Sequence, residues 1–296
     1  MAASILERMV IDRPTSFVER RIERVARADG RELTFEEFGP PSGAPLLFAH
    51  GFGQTRLAWE ESALKLGAAG HRVLTLDARG HGDSDWSSNA DYELDHFLDD
   101  LKRVLARLEQ PPVFIGASMG GLLGMLAAGE FQTAPFRALV LVDIAPRWET
   151  AGVERILAFM RARIDGFASV DEAIALVQEY LPHRAQRHDA GSLQRYLRPT
   201  ADGRWRWHWD PRLLESVQAS AGPYMQRLGA AAAQLRLPTL LVSGALSDVV
   251  RPQAISEFLT LVPHAQHVEI SDATHMVVGD RNTQFLHAVE TFLAGL

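Results

Sequence analysis

The stretch Pro111–Leu126, PPVFIGASMGGLLGML, decides the fold. Its short apolar run, VFI, has the character of a strand buried on both faces. Gly116-Ala117-Ser118-Met119-Gly120 follows at once, and LLGML then starts a helix. A serine at such a strand-to-helix junction sits on a sharp, strained turn that lifts its hydroxyl clear of the sheet, and glycines on either side relieve the crowding. The helix that follows aims its N-terminal N–H groups at the same spot, where they can meet developing negative charge. The competing account is that these glycines serve packing alone. The rest of the chain decides between the two.

Working outward, PLLFAHG, HRVLTLD, ALVLVD, PTLLVSG and AQHVEI repeat the short apolar pattern. Most are separated by amphipathic segments of helical period such as LDHFLDDLKRVLARL. Strand and helix in alternation predict a mostly parallel sheet covered by helices. Upstream, RIERVARADGRELTFEEFG alternates with period two and predicts two antiparallel strands joined at Asp29-Gly30. One gap breaks the rhythm. Between Asp143 and Pro238 the sequence has helical periodicity and no convincing buried strand. A structureless loop of that length is foreign to a compact domain, so this segment is expected to be a helical insertion. It holds thirteen Arg against ten Asp plus Glu and four of the six tryptophans: Trp148, Trp205, Trp207 and Trp209. The aromatics are expected to bind a small subdomain to its base, with some of them lining a pocket roof.

Composition narrows the function classes. A chain of 296 residues, 47% hydrophobic, is ample for a large core. No apolar run approaches the ~20 residues that span a bilayer. Glu7, Arg8 and Asp12 interrupt the start where a signal peptide needs an unbroken apolar stretch, which predicts a soluble, cytoplasmic protein with no membrane partner. The absence of cysteine removes disulfides, thiolate metal sites and a thiol nucleophile. A net charge of −7 argues against nucleic acid as a partner. The basic residues are arginine apart from Lys65 and Lys102, a skew that reads as codon usage.

Open α/β sheets place their sites at the carboxyl ends of the strands. Besides Ser118, three such ends carry suggestive residues. In LLFAHGFGQT the His50-Gly51 pair can turn the backbone N–H of Phe52 towards the serine, where with the N–H of Met119 it forms a two-donor oxyanion hole. In LLVSGALSDVV, Asp248 follows its strand by a few residues, and in VEISDATHMVVGD, His275 follows the last strand. Serine needs a base to take its proton, and that base needs a carboxylate to hold its tautomer. The order Ser, Asp, His is the one this kind of sheet uses. Asp143, which ends ALVLVD, is the rival for the acid. Asp272, His71 and His81 read as turn residues, and His183, His188 and His208 fall in the insertion. His264 and His267 lack a third ligand, so no metal site is expected there. Asp77 and Arg79 in LDARGHGDSD read as a charged network pinning a loop.

HGFGQT, DARGHGDSD, GASMGG, SGALSDVV and DATHMV together resemble, in order and spacing, the α/β-hydrolase superfamily over nearly the whole chain. The resemblance implies a mostly parallel eight-stranded sheet flanked by helices. It implies a core at 1–143 and 238–296 with a helical cap at 144–237. It implies Ser118 as nucleophile, His275 as base, Asp248 as acid, and Phe52 and Met119 as oxyanion-hole amides. Relatives that act as epoxide hydrolases or haloalkane dehalogenases attack with aspartate, and the serine here turns the expectation to acyl transfer on a small-molecule ester, with no cofactor. Lactonases, perhydrolytic haloperoxidases and C–C bond hydrolases share the triad; the last group tends to follow its histidine with tryptophan, where this chain has Met276. A slow-turnover ligand-binding protein is the alternative outside enzymes. In the insertion, Arg204 and Arg206 of DGRWRWHWDP are expected either to meet a substrate carboxylate or to stack on tryptophans and pair with Asp202 and Asp210.

Overall fold

The computed structural model describes residues 18–182, 190–218 and 221–296. Period-two alternation becomes a hairpin of β1 (Arg20–Ala26) and β2 (Glu32–Phe38), turned at Gly30 with φ +76°. The apolar runs then form β3 (Pro45–Ala49), β4 (Arg72–Leu76), β5 (Val113–Ala117) and β6 (Ala138–Val142). After the insertion come β9 (Thr239–Gly244) and β10 (Gln266–Ile270). These eight strands make one sheet in the order β1-β2-β4-β3-β5-β6-β9-β10. The two pairings that involve β2 are antiparallel and the others parallel.

Both faces of the sheet are buried, as continuous apolar strands require. Leu47, Leu74, Phe114, Leu139 and Leu241 face one layer, with α2 (Leu94–Leu105), α3 (Met119–Glu130) and α9 (Pro252–Leu261). Phe48, Val73, Ile115, Val140 and Val242 face the other, with α1 (Glu60–Ala68) and, after the short α10 (Val277–Asp280), α11 (Asn282–Ala294). In α2 the buried Phe97, Leu98, Leu101 and Val104 fall at helical spacing and place one stripe on the sheet. Each such side chain contributes about 1.5–3 kcal/mol by leaving water, which makes the sheet a rigid floor for the loops at its carboxyl edge.

The segment between β6 and β9 contains α4 (Thr150–Arg161), α5 (Val170–Tyr180), α6 (Ala190–Gln194), α7 (Leu213–Gln218) and α8 (Ala221–Ala232). It also holds a feature the periodicity does not announce: an antiparallel pair of three-residue strands, β7 (Leu197–Pro199) and β8 (Trp205–Trp207). Trp207 stacks on Trp209 with ring centroids 4.8 Å apart and meets Phe167 edge-on at 5.1 Å, and these rings belong to the same buried cluster as the first layer of the sheet. No helix among the described residues is long and apolar enough to cross a membrane.

Candidate active site

Ser118 stands between β5 and α3 with φ +46° and ψ −115°, a conformation L-residues avoid. The turn is tight enough to exclude side chains around it. A Cβ on Gly116 would lie 2.5 Å from the Gly120 backbone, and one on Gly120 would strike the carbonyl oxygen of Ala49. The flanking glycines therefore let the helix start against the strand that precedes it. Met119 opens α3, where its N–H has no intrahelical acceptor.

The loop after β3 lies against this serine: a Cβ on Gly51 would be 3.3 Å from the Ser118 Cβ. Gln54 N–H donates to the Gly51 carbonyl at 3.0 Å, closing a turn over residues 51–54. Phe52 is the second residue of that turn, so its N–H is not used in closing it. Met160 of α4 packs over Gly53, and the Gln54 amide donates to the Met276 sulfur at 3.2 Å. The insertion thus roofs the loop directly.

His275 follows β10 on a segment held by Asp280, whose Oδ2 accepts from the Thr274 N–H at 3.0 Å and from its hydroxyl at 2.6 Å. Its Nδ1 lies 2.7 Å from Asp143 Oδ2. Asp143 is fully buried, at φ +49° just past the end of β6. Two further donors complete its shell: Gly244 N–H to Oδ1 at 2.9 Å and the Ser247 hydroxyl to Oδ2 at 2.5 Å. Ser247 Oγ itself accepts from the N–H groups of Val249 and Val250, at 3.2 and 3.1 Å, which commits its hydrogen to the carboxylate. Nδ1–H of His275 therefore points at Asp143, and Nε2 carries the lone pair.

The carboxylate that meets His275 is thus Asp143 and not Asp248, the acid expected from the sequence. The carboxylate of Asp248 pairs with Arg155 on α4, and the adjoining backbone is tied to the same helix, with Glu149 N–H donating to the Val249 carbonyl at 2.9 Å. The turn after β9 aims residue 247 at Asp143 and residue 248 at the insertion, so a one-step difference in position reverses the assignment. Asp143, the rival, holds His275 instead.

The other residues singled out from the sequence have structural partners. Asp77 pairs with Arg56 and accepts from the Arg56 and Asp83 N–H groups at 2.6 and 2.9 Å; Arg79 forks onto Asp100 at 2.6 and 2.8 Å. They are loop pins, as expected. Asp272 is an exposed turn residue at φ +57°. His264 meets the Leu237 carbonyl at 3.0 Å and His267 meets Ser243 at 2.8 Å, so neither joins the other at a metal-type site. His183 and His188 lie outside the described residues. Arg204 donates to the Gly166 carbonyl at 2.9 Å, and the Arg206 guanidinium sits 4.4 Å over the ring of Trp86. Arg206 thus stacks on a tryptophan, as one of the two expectations had it, whereas the Arg204 side chain is taken up by a backbone carbonyl.

Sequence reasoning missed Ser247 and three buried histidines behind the turn. His50, His81 and His208 lie within 1% of complete burial, with ring centroids 5.0 Å apart for the first pair and 6.1 Å for the second. Burial, which penalises the charged imidazolium, lowers all three pKa values, with His81 lowered to about 3. The signals of His50 and His81 in the sequence are the HG and GHG strings, which read equally well as turns, and His208 lies between Trp207 and Trp209 with no such string.

A family model described as alpha/beta hydrolase fold matches residues 44–281. Among characterised proteins, the chain is similar to the sn-1-specific diacylglycerol lipase ABHD11 of Mus musculus, 30% identical over 99% of this chain and 95% of that one. It is also similar to the 3-hydroxybutyrate-oligomer hydrolase of Cupriavidus necator, 29% identical over 86% of this chain and 90% of that one. Among solved structures, E-2-(acetamidomethylene)succinate hydrolase superposes with a TM-score of 0.80 at 23% identity, covering 93% of this chain and all of the other. With the family model running from β3 to the segment beyond His275, and the mouse relative aligned along almost the whole sequence, the chain belongs to the α/β-hydrolase family.

Proposed function

We propose that this chain is a serine hydrolase that cleaves carboxylic esters of small to medium acyl chain through an acyl-enzyme. Ser118 attacks the carbonyl carbon, His275 Nε2 takes its proton, and Asp143 holds the imidazole and stabilises the imidazolium that forms. The N–H groups of Phe52 and Met119 receive the negative charge on the carbonyl oxygen. His275 then passes the proton to the departing alkoxide, and a water activated by the same base releases the acid and restores Ser118. The segment 144–237 serves as a cap that keeps bulk water from the acyl pocket.

The observation that carries this reading is the backbone of Ser118. A serine at φ +46° costs about 1–3 kcal/mol and persists where its surroundings over-determine it, typically at functional sites. The hydrogen bond from His275 to a buried carboxylate supports the reading independently. So do relatives named for hydrolysing 3-hydroxybutyrate oligomers and diacylglycerol, and a Mycobacterium tuberculosis structure described as a novel esterase, 25% identical with a TM-score of 0.72.

The test is a ladder of p-nitrophenyl esters, acetate through decanoate, on the wild type and Ser118→Ala. Multiple turnover that disappears in the variant is the expected result, and the preferred chain length sizes the pocket. A folded wild type that saturates with ester yet releases a single equivalent of p-nitrophenol contradicts the reading and indicates a ligand-binding protein.

A further inference from the structure

We propose that His81 is a positioning residue for the oxyanion hole: its imidazole sets the turn that presents the Phe52 N–H to the substrate. The inference rests on the acyl-transfer reading above and adds to it a residue outside the triad.

The geometry fixes the tautomer. His81 Nδ1 lies 3.0 Å from the Arg79 carbonyl, which can only accept, so Nδ1 carries the hydrogen. Nε2 is then a bare acceptor, and it receives the Gly53 N–H at 3.1 Å. Gly53 stands at φ +74°, directly after Phe52, so anchoring its N–H fixes the peptide plane on the far side of Phe52. The His81 ring also meets the Phe52 ring edge-on, with centroids 5.7 Å apart. One side chain therefore holds Phe52 twice, through its ring and through the next peptide.

His50 grips the other end of the same turn. Its Nε2 accepts from the Ala78 N–H at 3.0 Å, which leaves Nδ1–H to donate to the Gly51 carbonyl at 2.8 Å. The loop carrying Ala78 and His81 thus clamps residues 51–53 between two imidazoles. That loop is itself tied to the insertion, because Gly82 N–H donates to Nδ1 of His208 at 2.8 Å and Asp210 N–H donates to the Gly80 carbonyl at 2.9 Å. Docking of the insertion and shape of the oxyanion turn are joined through three neutral rings. Neutrality matters, since a protonated Nε2 would face the Gly53 N–H as a second donor. Full burial and the neighbouring imidazole of His50 keep His81 unprotonated.

An indirect role of this kind predicts loss in the transition state with ground-state binding spared. The experiment compares wild type, His81→Phe and His81→Gln, using the best p-nitrophenyl ester and a trifluoromethyl ketone of the same acyl group, whose serine adduct places an oxyanion in the hole. His81→Phe keeps a ring against Phe52 but removes the acceptor; His81→Leu replaces it if the phenylalanine variant does not fold. Expected are a fall in kcat of about tenfold or more, an equal loss of ketone affinity, and KM within about twofold. His81→Gln, which returns an acceptor oxygen near Nε2, is expected to recover most of both losses. Wild-type kcat and ketone affinity in the folded Phe or Leu variant overturn the proposal and leave the acyl-transfer reading intact. So does a kcat loss without a matching loss of ketone affinity, or failure of both variants to fold, which makes His81 a purely structural residue. Absence of ester turnover in the wild type overturns both.

Discussion

Asp143 and His275 meet through Oδ2 and Nδ1 at 2.7 Å, although 132 residues of chain separate them. Asp143 brings to that contact a fully buried carboxylate whose remaining capacity is filled by Gly244 N–H and the Ser247 hydroxyl. It arrives with its charge oriented and its neighbours satisfied, and little reorganisation is left for the imidazolium that the proposed mechanism forms at His275.

The hydroxyl of Ser247 donates to the same Oδ2 that holds His275. Ser247→Ala frees the carboxylate to turn and leaves the Val249 and Val250 N–H groups without their acceptor. We expect kcat to fall about tenfold with KM little changed, and stability to fall by about 1–3 kcal/mol from the unpaired groups. Steady-state kinetics and urea denaturation of the purified variant check both.

Stability should fall steeply in mild acid. His50, His81 and His208 remain neutral in the fold because burial penalises their charged forms. In the unfolded chain each takes up a proton near pH 6.5. The unfolded state therefore binds more protons below that pH, and stability that is fully present above it is lost as pH falls towards the folded values, about 3 for His81. His81, whose folded value lies far below the unfolded one, contributes a slope of up to ~1.4 kcal/mol per pH unit, and His50 and His208 act in the same direction. Urea midpoints at pH 7.5, 6.5 and 5.5 read this directly. A flat profile across that window contradicts the buried neutral state.

The turn around Ser118 tolerates no extra carbon. In Gly120→Ala the new methyl meets the Ala49 carbonyl oxygen, a backbone atom that cannot swing aside. The expected cost is about 1–3 kcal/mol or more, with activity lost through displacement of the serine. Thermal denaturation together with ester turnover checks it; a variant as stable and as active as the wild type contradicts the packing described.

Arg155 and Asp248 join α4 to the loop after β9, but Arg155 is 64% exposed. Solvent screens such a pair, and its coupling should be at most ~1 kcal/mol. A double-mutant cycle with Arg155→Gln and Asp248→Asn measures this coupling.

Much of the fold is legible because the strands at the sheet centre are buried on both faces and most of them, β6 excepted, are followed by a glycine-punctuated loop. PVFI and LLGML left little freedom for the segment between them. The β7–β8 pair was not legible, since three-residue strands are too short to show alternation. That Asp143 rather than Asp248 meets His275 is not legible for a related reason: both follow a strand, and only the backbone of the turn after β9 turns residue 248 away to Arg155. His81 and His208 read as bland because their partners lie elsewhere in the chain; Gly82 and His208 are 126 positions apart. Contacts of that range leave no local pattern.

Whether Ser118, His275 and Asp143 act as one catalytic unit is decided by kcat on the best p-nitrophenyl ester for Asp143→Asn and Asp248→Asn, measured side by side. Asp143→Asn keeps the shape but removes the charge and the preference for the Nδ1–H tautomer, so kcat should fall by about 10³–10⁴, while Asp248→Asn should stay within about threefold of the wild type. The reverse pattern, with Asp143→Asn active and Asp248→Asn dead, would contradict the account.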